Sequence, residues 1–176
     1  VGWFDNHHIM TRVDLKMMIL EKADANFKSV KTIEFEASDE HSAYSPLRPW
    51  MGKSQVNWLY VTQQVGDPTL ELKVRCIDPT SFEETNTIDL AQMQTKPLKG
   101  LGPYAMLDFL SLSVNLAFSS DSSKILIWVP ITKEKEGPYQ YFLHVMDTDL
   151  NPVWSKTVQV PFVEMVFHHK EIRINN

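Results

Sequence analysis

Apolar residues in this chain come in short runs separated by turn-forming residues. The runs predict strands over 17–24 and 31–36, then 55–63, 70–77 and 85–90, then 112–118, 124–130, 139–146 and 154–160, with 164–174 as a last candidate. Between them lie Gly66-Asp67-Pro68, Asp78-Pro79, Ser119 to Ser123, Gly137-Pro138 and Asn151-Pro152, combinations that favour turns. Strands of this length and spacing predict an all-β chain: a sandwich, a barrel or a propeller. Two stretches fit less simply. Residues 14–30 also place Leu15, Met18, Ile19 and Lys22 at helical spacing, and Leu, Met, Glu and Lys favour helices. Residues 97–111, with Gly100, Gly102 and Pro103, predict a loop, with one helical turn around 104–109.

Periodicity divides the strands into two kinds. Ile125 to Val129 and Tyr141 to Met146 are apolar almost without interruption, as expected where both faces are buried. Thr87-Ile-Asp-Leu90 and Thr157-Val-Gln-Val160 alternate, as an exposed outer strand does. Small sheets stacked face to face produce both kinds, which favours a propeller over a barrel.

One phrase recurs: Asp24-Ala-Asn-Phe27 and Asp147-Thr-Asp-Leu150 each join an apolar strand to an alternating one. A looser copy, Asp78-Pro-Thr-Ser-Phe82, has one more residue before its hydrophobe. Upstream, Trp58 to Val61 and Ile125 to Val129 read as matched strands, with Trp58 and Trp128 as matched core positions. Recurrence of a strand–turn–strand phrase predicts modular architecture, and it favours strand over helix at 14–30. The expected divisions are 1–37 as the end of a partial blade, 38–93 as a second blade and 94–111 as an insertion. A complete blade at 112–160 and the start of another at 161–176 follow.

The stretch Ala117-Phe-Ser-Ser-Asp121-Ser-Ser-Lys124 resembles the hairpin between the first two strands of many bacterial β-propeller blades. His144-Val-Met-Asp147-Thr-Asp-Leu150-Asn-Pro-Val-Trp154 resembles the turn between their third and fourth strands. Together they are similar to β-propeller repeat proteins of the Bacteroidota-type cell envelope. The resemblance is specific around 117–160 and looser elsewhere. It implies four-stranded antiparallel blades, here too few to close a ring, and a location in the periplasm or at the cell surface. A self-contained β-sandwich is the alternative fold.

Composition narrows the function classes. The chain has 176 residues, 43% hydrophobic and 22% charged, with net charge −5, an ordinary globular mixture. The lack of any basic block disfavours nucleic acid as a partner. Cys76 is the only cysteine, which excludes an internal disulfide and reads as a core residue. No apolar run is long enough for a membrane-spanning helix. Val in place of Met at position 1 suggests a processed product or fragment.

Candidate chemistry is sparse. His7-His8 and His168-His169 are adjacent pairs, but neighbours on a strand point to opposite faces, so neither pair makes a metal site; surface positions are expected, with His144 packed inside a blade. Asp24, Asp78, Asp121, Asp147 and Asp149 occupy turn positions, where Asp accepts backbone N–H groups, and are read as structural. No nucleophile elbow, phosphate loop or zinc-protease motif occurs, so neither catalytic residues nor a cofactor or metal are assigned. The best contact candidates are Tyr44, Arg48 and Trp50, aromatic and Arg side chains in an apparent Pro-fixed loop. The expectation is a non-catalytic interaction or scaffold module whose partner is another protein or the rest of a larger propeller. The rival is a propeller enzyme or carbohydrate-binding domain, for which Asp108, Ser113, Asn115 and Glu164 are the residues to test.

Overall fold

The computed structural model describes residues 2–4, 7–13, 17–36, 42–64, 66–94, 114–131 and 140–159. Every regular element among them is a β-strand. The first sheet holds β1 (Gly2–Phe4), β2 (His7–Val13), β3 (Met17–Ala23) and β4 (Ser29–Glu36). The second holds β5 (Ser42–Met51), β6 (Val56–Gln64), β7 (Thr69–Ile77) and β8 (Glu84–Gln94). The third holds β9 (Asn115–Phe118), β10 (Lys124–Ile131), β11 (Gln140–Asp147) and β12 (Pro152–Gln159). In each sheet the strands lie side by side in chain order, with antiparallel registers. The first two sheets belong to one compact unit and the third to another.

The chain is therefore all-β, and the helical alternative is overturned at Met17 to Val30, where β3 and β4 flank a turn. The reason is burial: Met18, Ile19 and Leu20 are consecutive and all buried, on alternating faces of a strand. That burial outweighs a helix propensity worth a few tenths of a kcal/mol per residue.

Strands β1, β2 and β5 are absent from the sequence pattern, so residues 2–36 carry four strands where the pattern showed two. In β2 the order His-His-Ile-Met-Thr-Arg-Val hides the alternation. In β5 two prolines suggested a loop, and the structure corrects this. β5 is an edge strand of its sheet, where Pro is tolerated, and its register shifts between Pro46 and Pro49. The shift frees the Leu47 carbonyl, which accepts the Trp58 indole N–H at 3.3 Å. Of the strand expected at 112–118, the described part is Asn115–Phe118. The expected loop at 97–111 and strand at 164–174 lie outside the described residues.

The Asp phrase builds one turn twice, at Asp24 and Asp147, and a one-residue-longer variant of it at Asp78. The Asp24 carboxylate accepts the N–H groups of Asn26 and Lys28, both at 2.9 Å. Asp78 accepts those of Thr80 and Ser81 at 2.8 and 2.6 Å, and Asp147 those of Asp149 and Asn151, both at 2.9 Å. The Asp carbonyl accepts the hydrophobe's N–H each time: Phe27 at 2.9 Å, Phe82 at 2.8 Å and Leu150 at 3.1 Å. These hydrophobes hold left-handed backbone, φ 61°, 53° and 71°, a conformation that costs a non-glycine residue about 1–2 kcal/mol. The carboxylate bonds offset that cost.

Aligning the sheets on these Asp residues defines equivalent faces. Ala23, Ile77 and Met146 precede the Asp and pair with His8, Val56 and Ile125. The first and second sheets share a core of Ile9, Met18 and Leu20 against Val56, Trp58, Ile77 and Phe82. Ile9 and Val56 lie on opposite faces in this alignment, so the back of one sheet packs on the front of the next. Lys22 and Lys31 reach across to the carbonyls of Pro79 and Ser81, Lys22 at 2.9 Å. The alignment also corrects the sequence reading of the tryptophans. Trp58 pairs with Arg75 and Trp128 with Leu143, which makes Trp58 the counterpart of Ile127. The two tryptophans sit on the same strand of their sheets but face opposite ways, Trp128 packing with Leu126, Tyr141 and Val145.

Candidate functional site

Strands β6, β7 and β8 have 9, 9 and 11 residues, whereas β2, β3 and β4 have 7, 7 and 8. Among the described residues the extra length lies at the end away from the Asp turns. A cleft of about 790 Å³ opens over this end of the second sheet, within the first compact unit. Tyr44 of β5, Tyr60 of β6, Glu71, Lys73 and Arg75 of β7, and Gln92 of β8 line it, with Phe35 at its sheet-one margin.

The charges in this cleft are tied to one another. Lys73 Nζ lies 3.0 Å from Glu71 and 3.2 Å from Asp89. Burial of the Lys73 amine favours its neutral form, but the two carboxylates outweigh that and hold its pKa above the usual value. Arg75 Nη1 donates to Glu84 at 2.6 Å, and its guanidinium lies 4.0 Å over the Phe35 ring and 4.9 Å over the Tyr60 ring. Arg75 is thus fixed by a charge-assisted bond and two aromatic faces. Its Nε is buried with no hydrogen-bond partner among the described residues. Burial raises the Tyr60 phenol above its ordinary pKa, partly countered by Arg75 and Lys73, which keeps the hydroxyl protonated. The Gln92 amide donates to Glu71 at 2.9 Å. At the rim, the Thr69 side chain and N–H hold the Asp67 carboxyl below its usual range.

The three contact candidates part company. Tyr44 lies in the cleft, its ring 6.4 Å from that of Tyr60. Trp50 is buried in the strand, as a core hydrophobe would be, and Arg48 lies on the same strand. Asp121 sits in the β9–β10 hairpin and accepts the Ser119 hydroxyl at 2.6 Å and the Ser123 N–H at 3.0 Å. These bonds bring its pKa down to about 2. Asp149 contributes its N–H to the Asp147 turn. Asn115 lies in β9 opposite Trp128, whereas Asp108, Ser113 and Glu164 lie outside the described residues.

Cys76 is buried beside Gln55, whose amide is 3.2 Å from Sγ. Burial pushes its thiol pKa up, opposite to what a nucleophile needs. His144 is buried and bonded through Nδ1 to Ser155 Oγ at 2.6 Å, and burial lowers its pKa. His8 is buried and stacks on Phe27, with centroids 4.0 Å apart. His168 and His169 lie outside the described residues. Among the described residues no three His, Cys, Asp or Glu side chains converge as metal ligands, and no helix is long and apolar enough to cross a membrane.

Sequence reasoning found Tyr44 but missed Arg75 and Gln92. The usable signal was the polar end of β6, where Thr62-Gln63-Gln64 follows a continuous apolar run. No protein-family model, curated protein or solved structure matches this chain.

Proposed function

We propose that the chain is a non-catalytic interaction module whose three sheets are successive blades of a β-propeller-type assembly, acting as an accessory part of a cell-envelope protein complex. The back-to-front packing of the first two sheets carries this reading. Like sheets stacked in that sense do not pair off into a closed two-layer object; each presents a face suited to one more sheet. The third sheet has the matching apolar set on its back face, with Leu126, Tyr141 and Leu143 standing where Ile9, Met18 and Leu20 stand in the first. On its outer strand, Val153 and Trp154 are 52% and 46% exposed, apolar area of the kind a partner covers.

The chemistry in the cleft points the same way. Its two cations are paired in place, Lys73 with Glu71 and Asp89 and Arg75 with Glu84, so neither is poised as a base or nucleophile. Sedimentation of the purified chain between about 1 and 50 μM tests the reading by mass action. Concentration-dependent association, weakened by Trp154→Glu, is the expected result. A monomer at every concentration, or turnover of a glycoside panel, would contradict it.

A further inference from the structure

We infer that the cleft over the second sheet is a binding site for a neutral oligosaccharide. This rests on reading the chain as a binding module, and it names a ligand class for a defined site. The cleft volume of about 790 Å³ falls in the range of small-molecule sites, roughly 300–1,000 Å³.

Three features select the ligand. First, charge: Lys73 is held between Glu71 and Asp89, and Arg75 by Glu84. Neither cation offers unpaired charge for a phosphate or carboxylate, so an anionic ligand would have to break existing pairs. Second, backbone: the cleft floor is formed by β6 and β7, each flanked by strands on both sides. An extended peptide therefore finds no free edge on that floor; only the margins, β5 and β8, are edge strands. Third, surface: the partly exposed Tyr44 ring and the exposed amides of Gln64 and Gln92 line the cleft, whereas Tyr60 and Thr62, which also line it, are 5% and 6% exposed. A sugar offers C–H faces to aromatic rings and hydroxyls that both donate and accept. Amide and hydroxyl side chains meet that requirement without charge.

The test is titration calorimetry of the intact chain with neutral hexasaccharides of β-1,4-linked glucose, xylose and mannose. Oligogalacturonate and a phosphopeptide serve as anionic comparators. The expected result is binding of at least one neutral hexasaccharide with Kd tighter than about 1 mM. Gln92→Ala and Gln64→Lys, both at exposed positions, should weaken it at least fivefold without moving the thermal midpoint. The inference is overturned if no neutral hexasaccharide binds, if binding ignores both substitutions, or if only the anionic comparators bind. Hydrolysis of the bound sugar is a separate outcome: it would contradict the non-catalytic reading and support the site. Loss of self-association with retained sugar binding would likewise spare the site.

Discussion

Phe27, Phe82 and Leu150 share a left-handed backbone at the same step of the turn, but their side chains meet different surroundings. Phe82 is 1% exposed and belongs to the core between the sheets, whereas Phe27 is 60% exposed and stacks on His8. Phe82→Gly loses a buried ring worth about 3–5 kcal/mol and regains about 1 kcal/mol of backbone strain, so a net loss near 3 kcal/mol is predicted. Phe27→Gly exchanges similar strain relief for a partly exposed stack and glycine's added chain entropy, about 0.5–1 kcal/mol, and should be nearly neutral. Urea denaturation of the two variants measures the contrast. Asp147→Ala, which strands two turn N–H groups, should cost about 1 kcal/mol in the same assay.

Titration adds a pH signature at this scale. Asp121 has a folded pKa of about 2 against an ordinary 3.8, so its contribution is complete above 3.8 and is lost as pH falls toward 2. The urea midpoints of wild type and Asp121→Asn should therefore converge between about pH 5 and pH 2. For His144 burial lowers the pKa below 6.5, so the unfolded chain binds the proton more readily. Stability then falls as pH drops through 6.5, and His144→Asn should flatten that slope.

Between elements, the clearest contact joins Phe35 of β4 to Trp58 of β6, with ring centroids 5.5 Å apart and a 59° tilt. Such pairs contribute about 0.5–1.5 kcal/mol beyond burial, so a Phe35→Leu, Trp58→Leu double-mutant cycle should return coupling of that size. The Asp turns were legible in the sequence because they are local: an Asp and the hydrophobe three or four residues later specify the bonds and the φ. That Trp58 and Trp128 are not equivalent was not. A strand buried on both faces has no alternation to show which residue points where, and a one-residue slip reverses every face. β5 was hidden because its prolines are tolerated only by virtue of its edge position, which is a property of the sheet. The cleft was hidden for a similar reason, since its lining comes from residues of β4 to β8 that only the fold brings together.

At the scale of the whole molecule, the proposed function requires that the three Asp turns mark equivalent places in successive, like-stacked sheets. Asn26, Thr80 and Asp149 are the corresponding labelling sites, each the second residue after its Asp and each donating its N–H to that carboxylate. With buried Cys76 replaced by Ala, pairwise nitroxide labels at these sites allow distances to be read by pulsed electron resonance. The proposal requires the 26–80 and 80–149 distances to agree within about half a sheet spacing, itself about 10 Å, and the 26–149 distance to be shorter than their sum. A mismatch of a full spacing or more between the two steps would contradict it.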